Sequence, residues 1–503
     1  MYRALLSTSG FTLISRVTGF VRDMIMSRVL GDGMLSDAFI VAFRLPNHFR
    51  TIFAEGAYNA AFVPMYAGLK TKSAKGADDF SRNMLGWQVA IQIVLLLTAL
   101  LVMPWVVAFL APGFVGHKEQ MDLATSLTRI TFGYLLCVTI VTHLGGVLNA
   151  EGKFWAAAAA PVLLNISMAI SLLLAFIYPS AGYAAAVGVL TGGVAELLLL
   201  LVAAWSSGIS IVPTMPRLSD DVRLFFVRFG PATLGAAGVQ VAMFADTIFA
   251  SFLGQGAYTS LYYADRINQL PMGVIAIALG TVLLPEVTKS ITKGDAASTA
   301  RSFNRATEIG LLLTLPCTAA FFVIPDSIMT ALFAGGAFNV KSAVASGEVL
   351  LMYAVGLPAF VMLRTVTPLF HARGDTQAPV IATGIAIAVN LALKAGLVLG
   401  LSMGVQGLAL ATALGTWVNL GVLAFIGARR EFFHLDQQML SGMLKMLAAA
   451  VFAGLIAWLV TVPLNEAFDW VGRYKAIVCL FFLGVAGLGS YAVGLLALGW
   501  QQR

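Results

Sequence analysis

The sequence predicts an all-α polytopic membrane protein with about fourteen transmembrane helices. Of its 503 residues, 59% are hydrophobic and only 11% are charged, and the mean hydropathy is +0.88. A soluble globular domain carries about 25% charged residues. Because one helix needs about 20 apolar residues to cross a bilayer, this length allows a dozen or more crossings joined by short loops.

The apolar segments fall into two groups of six and a final pair. The first six are 5–26, 36–65, 84–110, 123–148, 154–177 and 183–205. The next six are 224–252, 261–285, 309–323, 349–369, 379–401 and 405–426, and the final pair is 443–462 and 475–498. The second segment is long for one crossing and contains Pro46, which predicts a tilt or a kink at that point.

Lysine and arginine concentrate in alternate loops. The four basic groups are Lys70, Lys72, Lys75 and Arg82; Arg217 and Arg223; Lys289, Lys293, Arg301 and Arg305; and Arg429 and Arg430. Under the positive-inside rule these loops face the cytoplasm, and both termini are then cytoplasmic as well. The net charge of +7 therefore needs no nucleic-acid partner.

Cysteine and carboxylate patterns predict no metal site, disulfide or cofactor. Cys137, Cys317 and Cys479 stand singly in apolar segments, which is typical of small buried hydrophobic residues. The aspartate pairs at 78–79 and 220–221 stand beside Lys and Arg, and we expect solvated loop charges there. Since no nucleotide-binding loop is found, any energy source is expected to be a Na⁺ or H⁺ gradient or the membrane potential.

The second half of the chain repeats the first at an offset of about 223 residues. VLGDG (29–33) matches FLGQG (252–256), and LNAEG (148–152) matches FHARG (370–374). A repeat of six helices predicts two lobes related by an axis along the membrane normal. We expect lobes at 1–208 and 209–430, with a helix pair at 431–503 outside the repeat.

Charged residues inside the first two segments are the strongest indication of function. They are Arg16, Arg22, Asp23, Asp37, Arg44, Arg50 and Glu55. A charge at the bilayer centre costs about 2.5–3.5 kcal/mol, and arginine cannot lose its proton. Guanidinium groups bind phosphate oxygens in a bidentate manner. The sequence therefore predicts a wet, protein-lined cavity that binds phosphate-bearing cargo.

The charges are distributed unequally between the two lobes. The second lobe has Ala245 and Ile267 where the first has Arg22 and Arg44. An asymmetric, basic cleft suits a cargo with one anionic end. The alternative for the first lobe is structural, with arginines that reach an interface and an ion pair between Arg16 and Asp23, which share a helix face.

Further polar residues have two interpretations each. Asp37 and Arg44 share a face of the next helix, with Asn47 one turn beyond. Arg266 and Gln269 are three residues apart and can reach one ligand, or they anchor their helix at an interface. Asp246 lies deep in the seventh segment, where it either carries a coupling Na⁺ or H⁺ or pairs with an arginine.

Several motifs resemble those of one known family. They are SRVTGFVRD (15–23), SDAFIVAFRLPN (36–47), IFAEGA (52–57), FVP (62–64), YYADR (262–266) and GTVLLP (280–285). Together they are similar to the MurJ/MviN lipid II flippase family of the MOP exporter superfamily. The resemblance covers essentially the whole chain, and the first two motifs are specific.

The resemblance implies a fold and a function. The expected fold is MOP/MATE-like, with fourteen helices, two lobes around a cavity open alternately to each side, and a groove at the last two helices for a polyprenyl tail. The expected function is to flip the undecaprenyl-diphosphate-linked peptidoglycan precursor lipid II from the inner to the outer leaflet of the bacterial cytoplasmic membrane. The implied partners are lipid II, the membrane and other cell-wall synthesis proteins, and no enzymatic activity is implied.

Site residues follow from the same resemblance. The substrate-binding set is Arg16, Arg22, Arg50, Arg266, Arg44, Asn47 and Gln269. The polar partners are Ser15, Asp23, Asp37 and Glu55, and Asp246 matches part of a Na⁺ site that some members have. Some members have Glu where this chain has Gln269.

Other functions are weighed against this one. Another MOP-type exporter would move a different polyprenyl-linked oligosaccharide or a drug, but a cationic-drug pump should line its cleft with carboxylates and aromatic residues. A membrane-embedded transferase acting on polyprenyl phosphate would need a metal or general-base set, which the sequence lacks. A scaffold without transport would leave the deep charges unexplained.

Overall fold

The computed structural model describes residues 2–51, 57–292, 296–432 and 437–500, and these ranges are helical apart from turns, short connections and one isolated bridge between Gly335 and Phe338. The first nine helices are α1 (Tyr2–Leu30), α2 (Met34–Phe49), α3 (Asn59–Lys72), α4 (Ala74–Leu110), α5 (Lys118–Phe132), α6 (Tyr134–Ala150), α7 (Trp155–Leu173), α8 (Ala181–Ser206) and α9 (Asp220–Ser251). The remaining nine are α10 (Ala257–Thr292), α11 (Ala296–Val323), α12 (Pro325–Phe333), α13 (Val340–Ala354), α14 (Leu357–Ala372), α15 (Gln377–Ala395), α16 (Gly404–Arg429), α17 (Gln437–Ala467) and α18 (Lys475–Ala497).

Length and hydropathy identify the membrane-crossing helices. Within the described ranges, nine helical segments are long and apolar enough to cross a bilayer, or ten if α13 and α14, bent by 40°, form one span. This confirms an all-helical, multi-pass membrane protein. Helices α1, α2, α9 and α10 are not among the nine, and they carry most of the predicted site residues. The count of fourteen stays a prediction.

Three predicted segments are divided in the structure. Segment 36–65 contains both α2 and α3: α2 continues three residues past Pro46 to Phe49, the Arg50 N–H donates to the Asn47 and Pro46 carbonyls, and residues 52–56 lie outside the described ranges. Segment 123–148 divides at Gly133, between α5 and α6. Segment 349–369 divides before α14, where Gly356 lies so close to α16 that a Cβ would stand 2.7 Å from the Ala413 Cα.

The chain forms two compact units, and the first contains Met1–Thr259 and Gly335–Phe338. In this unit α7 packs against both α1 and α8. The contact with α8 depends on glycine, because a Cβ on Gly188 or Gly192 would stand 2.9 or 3.0 Å from the Cα of Met168 or Leu164. Small residues allow membrane helices to approach in this way.

Helix α9 packs inside the first unit against α3 and α4. The connection that precedes it lies along α4, where Asn83 and Arg217 exchange two hydrogen bonds. Both aspartate pairs predicted to lie in loops are helical instead: residues 78–79 lie in α4, and residues 220–221 form the first turn of α9 behind the capping Ser219. Carboxylates are favoured there by the helix dipole. The lobe boundaries 1–208, 209–430 and 431–503 stay predictions.

A contact beyond the end of α6 also ties α3 to this helix. Lys70 and Tyr66 of α3 donate hydrogen bonds to the Glu151 carboxylate, just after α6. The hydrogen bond from Lys70 is the main reason that the pKa of Glu151 lies below its ordinary value.

The second unit contains Ser260–Ala334 and Asn339–Arg503. Within it α17 packs against α18 and α11, and α15 packs against α16. Both α17 and α18 expose large apolar side chains, among them Leu455, Trp458 and Phe481. Such surfaces are expected where helices face lipid.

Candidate substrate-binding site

Arg22 is the most deeply placed of the predicted arginines, and only 5% of it is exposed. Its Nη2 and Nε donate to the Asp23 Oδ1 over 2.6 and 3.1 Å, and its Nη1 donates to the Asn165 Oδ1 over 2.9 Å. The Met168 sulfur lies 3.8 Å from Nη1, and the guanidinium carbon lies 6.0 Å from the centre of the Phe43 ring. A buried ion pair needs such additional contacts, because desolvation of both charges is costly.

Gly19 creates the space for this arrangement. It lies on α1 one turn before Arg22, and a Cβ there would stand 3.2 Å from the Asn165 Nδ2. Helix α7 can therefore bring Asn165 against the α1 backbone, where Nδ2 donates to the Ser15 carbonyl over 3.0 Å. Ser15, predicted as a polar partner, contributes through its main chain.

Arg16 and Asp23 differ in their surroundings. Arg16 is exposed on α1, beside the exposed Val17, whereas Asp23 is buried. The structural alternative considered from the sequence was an ion pair between Asp23 and Arg16, which share a helix face. In the structure, Asp23 forms an ion pair with its neighbour Arg22. Side-chain length allows this, because the guanidinium can fold back toward the adjacent residue on the buried side.

Asp37 is fully buried and binds the start of α10. Its carboxylate accepts hydrogen bonds from the Gly256 N–H (2.7 Å), the Thr259 N–H (3.0 Å) and the Thr259 hydroxyl (2.7 Å). These are the main-chain donors that a helix leaves unsatisfied at its N-terminus, where negative charge is favoured. Asp37 therefore acts as a capping residue supplied by another helix.

The next polar residues of α2 face α9. Arg44, half-buried, donates to the Thr247 hydroxyl over 3.1 Å and lies 5.8 Å from the centre of the Tyr258 ring. One turn further on, the Nδ1 of His48 lies 2.7 Å from the Gln240 side-chain oxygen. Asn47 is half-buried between these positions.

Arg50 connects to a buried hydrogen-bonded chain. Its Nη1 donates to the Tyr134 hydroxyl over 3.4 Å, and that hydroxyl donates to the Glu196 carboxylate over 3.4 Å. Both Tyr134 and Glu196 are buried. Glu55, the remaining predicted partner in this region, lies outside the residues that the structure describes. Asp246 is half-buried on α9, and its role in ion coupling stays a prediction.

In the second unit, Arg266 stacks on an aromatic ring. Its guanidinium carbon lies 4.8 Å from the centre of the Tyr262 ring, and Nη2 donates to the Tyr262 hydroxyl over 3.0 Å. Gln269 bonds instead to Asp265, over 2.5 Å. Arg266 and Gln269 thus each bond to a different residue of α10, four positions earlier in the chain. Their shared use of one ligand stays a prediction.

An apolar groove of about 640 Å³ lies between α11 and α17 of the second unit. Its walls are Leu315, Thr318, Ala319, Phe322 and Val323 on one side, and Leu447, Ala450, Val451, Gly454, Leu455 and Trp458 on the other. The lining is almost entirely hydrocarbon, so the groove suits an alkyl or isoprenoid chain. One of its two walls is α17, which belongs to the predicted tail-binding pair.

Sequence reasoning missed Asn165, Tyr134 and Thr247 as partners of the arginines. Asn165 offered a signal, because it is an isolated amide in the apolar helix α7. Polar side chains inside membrane helices usually hydrogen-bond to a neighbouring helix. Tyr134 and Thr247 offered none, since aromatic and hydroxyl residues are common in such helices.

Two solved structures share this fold. A structure described as lipid II flippase MurJ in an inward closed conformation aligns with a TM-score of 0.79 at 23% identity, covering 98% of this chain and 99% of that one. An inward-facing multidrug resistance MATE transporter of the MOP superfamily aligns with a TM-score of 0.67 at 17% identity, covering 82% of this chain and 94% of that one. This chain therefore shares its fold with both structures.

Sequence similarity identifies the family of this chain. The family model described as lipid II flippase MurJ matches residues 26–478. The probable lipid II flippase MurJ of Rhizobium meliloti (strain 1021) is 36% identical over 97% of this chain and 94% of its own length. This chain belongs to the MurJ family, as its motifs predicted.

Proposed function

We propose that this protein flips lipid II from the inner to the outer leaflet of the bacterial cytoplasmic membrane. Membership of the MurJ family carries the proposal, because the curated relative aligned over nearly the whole chain is named a probable lipid II flippase. The protein acts as a transporter and not as an enzyme, and both of its termini lie in the cytoplasm. Its partners are lipid II and, in the cell, other proteins of cell-wall synthesis.

The diphosphate of lipid II is recognised by arginines of the first unit, namely Arg16, Arg22 and Arg50. Arg22 supports this role most directly, because one Asp23 oxygen accepts from both Nε and Nη2 of its guanidinium. A phosphate can occupy this same edge with two parallel hydrogen bonds. Binding then exchanges one anion for another, and the arginine never loses its counter-charge.

The polyprenyl tail follows the groove between α11 and α17 while the head group crosses. The groove is lined by side chains such as Leu315, Phe322 and Leu447, so isoprene units gain contacts there similar to those in lipid. No charged group has to enter it. The tail can therefore remain in hydrocarbon throughout transport.

Transport requires two conformations with different affinities for the diphosphate, because equal affinity would shift no population. The membrane potential favours outward movement of an anion from a negative interior. Each elementary charge that crosses 100 mV contributes about 2.3 kcal/mol. A Na⁺ or H⁺ gradient that acts through Asp246 is a second source of energy.

A reconstituted flipping assay tests the proposal. Proteoliposomes carrying fluorescent lipid II are treated with an external, membrane-impermeant quencher, and the loss of protected signal reports movement between leaflets. The protein should accelerate this loss over protein-free vesicles, Arg22→Ala should abolish the acceleration, and Arg429→Ala, which removes an exposed arginine at the end of α16, should preserve it. No acceleration, or equal movement of a fluorescent phosphatidylcholine, would refute lipid II transport.

A further inference from the structure

Asn165 occupies a position that the proposed function does not explain by itself. It is 7% exposed in the middle of α7, a helix otherwise built from apolar and small residues around it. Packing alone would favour leucine there, because a buried amide must find partners for both of its ends. Asn165 finds them on α1.

The two ends of the amide have different partners. Its oxygen accepts from the Arg22 Nη1 over 2.9 Å, while its nitrogen donates to the Ser15 carbonyl over 3.0 Å and lies 3.4 Å from the Thr18 hydroxyl. The main-chain carbonyl can only accept, so this contact fixes which end of the amide faces the guanidinium. Asn165 therefore presents a neutral oxygen to Arg22.

The guanidinium is held on two different edges. Asp23 takes the edge formed by Nε and Nη2, whereas Asn165 takes Nη1 on the other side. The Nε–Nη2 edge is one that a phosphate can bind with two hydrogen bonds. Asp23 thus competes directly with a diphosphate, and Asn165 does not.

We infer that Asn165 is a positioning residue for diphosphate recognition by Arg22, an inference that rests on the proposed function. It keeps Nη1 anchored to α1 and α7 while Asp23 gives up the opposite edge to the incoming phosphate. An amide suits this role because it orients the guanidinium without neutralising it. A carboxylate at the same position would hold Arg22 between two anions and repel a third.

Four variants test this role. Asn165→Asp keeps the shape of the side chain and adds the competing charge. Asn165→Leu keeps the approximate volume and removes the acceptor. The double variant Asp23→Asn with Asn165→Asp exchanges the two acceptors, and Asn419→Asp adds a carboxylate to a half-buried asparagine of α16 as the matched control.

The measurements are the Kd for undecaprenyl diphosphate in nanodiscs and the midpoint of thermal unfolding. We expect Asn165→Asp to weaken binding at least about tenfold, because a desolvated like charge opposes the phosphate. Asn165→Leu should weaken it about threefold to tenfold, since Arg22 loses its orientation. The double variant should recover affinity to within about threefold of wild type, because one carboxylate and one amide again face the guanidinium.

The outcomes separate the inference from the proposed function. If Arg22→Ala binds undecaprenyl diphosphate as wild type does, the arginine part of the proposed function fails. If Arg22→Ala loses binding but folded Asn165→Asp keeps wild-type affinity, only the positioning role is wrong. If Asn165→Asp fails to fold, the double variant decides: a folded protein without restored affinity overturns the inference, and restored affinity supports it.

Discussion

Helices α1 and α2 bury charged side chains, whereas α17 and α18 expose large apolar ones. In the first pair Arg22 and Asp37 are buried, and each has several hydrogen-bond partners. In the second pair the outward side chains are large and apolar, with Trp458 and Phe481 more than half exposed. Polar contacts are concentrated around the buried charges of α1 and α2, whereas the outward surface of α17 and α18 is suited to hydrophobic and dispersion contacts. The comparison teaches that burying a charge in this protein requires several hydrogen-bond partners for it.

The largest effect should come from breaking the buried ion pair. Asp23→Ala leaves the Arg22 charge without its carboxylate, and loss of one partner of a buried pair costs about 3–5 kcal/mol. The matched change in the other region is Asp469→Ala, because the Asp469 side chain is 80% exposed and pairs with Lys475, the first residue of α18. That pair should contribute less than about 1 kcal/mol.

Denaturant titration in detergent micelles measures both free energies of unfolding. Equal losses for Asp23→Ala and Asp469→Ala would contradict the contrast between the two regions. A large loss of unfolding free energy for Asp469→Ala alone would reverse this contrast.

The second effect concerns the closeness of helix packing. Gly188→Ala puts a methyl group 2.9 Å from the Met168 Cα, so α7 and α8 must separate, and we expect destabilisation of about 1–3 kcal/mol. In α18, a Cβ on Gly487 would meet no atom within 4 Å. Gly487→Ala should therefore stabilise the protein by up to about 1 kcal/mol through helix propensity. In the same unfolding titration, the free energy of unfolding should fall for Gly188→Ala and rise for Gly487→Ala. A change in the same direction for both variants would show that α7 and α8 can adjust freely.

The third effect lies in the apolar groove. Gly454→Leu fills space between α11 and α17, where a Cβ already stands 3.2 Å from Val323. If the polyprenyl tail lies there, loss of one or two methylene contacts at about 0.8 kcal/mol each should lower the lipid II transport rate about fourfold to fifteenfold. Leu459→Phe, on the exposed side of α17, serves as the control and should transport at the wild-type rate. Equal rates for both variants would exclude the groove as the tail site.

The smallest effect is expected at Arg266. Tyr262→Phe keeps the ring against the guanidinium and removes the hydroxyl that accepts from Nη2, so lipid II affinity should fall by about 0.5–1.5 kcal/mol. Tyr262→Leu also removes the ring and should cost a further amount of similar size. Titration of lipid II binding in nanodiscs distinguishes the two. An unchanged affinity for Tyr262→Leu would mean that Arg266 contributes nothing to recognition.

The sequence predicted most of the fold, because hydropathy reports helices directly. It could not predict the breaks before α6 and α14, since Gly133 and Gly356 look like any glycine in an apolar run. The aspartates at 220–221 were misassigned for a related reason. A capping serine and two acids start a helix as readily as they fill a loop, and only the packing of α9 decides between them.

The candidate site was predicted in part. The sequence singled out Arg22 and Asp23, because charge in an apolar segment is visible in any sequence, and the structure buries both side chains. The third member, Asn165, lies 143 residues from Arg22, and no local pattern connects them. Their contact arises only when α7 packs against α1 at Gly19.

The cap that Asp37 places on α10 also sets an order of assembly. The main-chain donors at the start of α10 find their acceptor 219 and 222 residues earlier in the chain, and unsatisfied donors are costly in hydrocarbon. Because α2 is synthesised before α10, the Asp37 carboxylate already exists when the start of α10 leaves the ribosome. The nascent chain therefore carries the hydrogen-bond acceptor for the N-terminus of a helix that has yet to be synthesised.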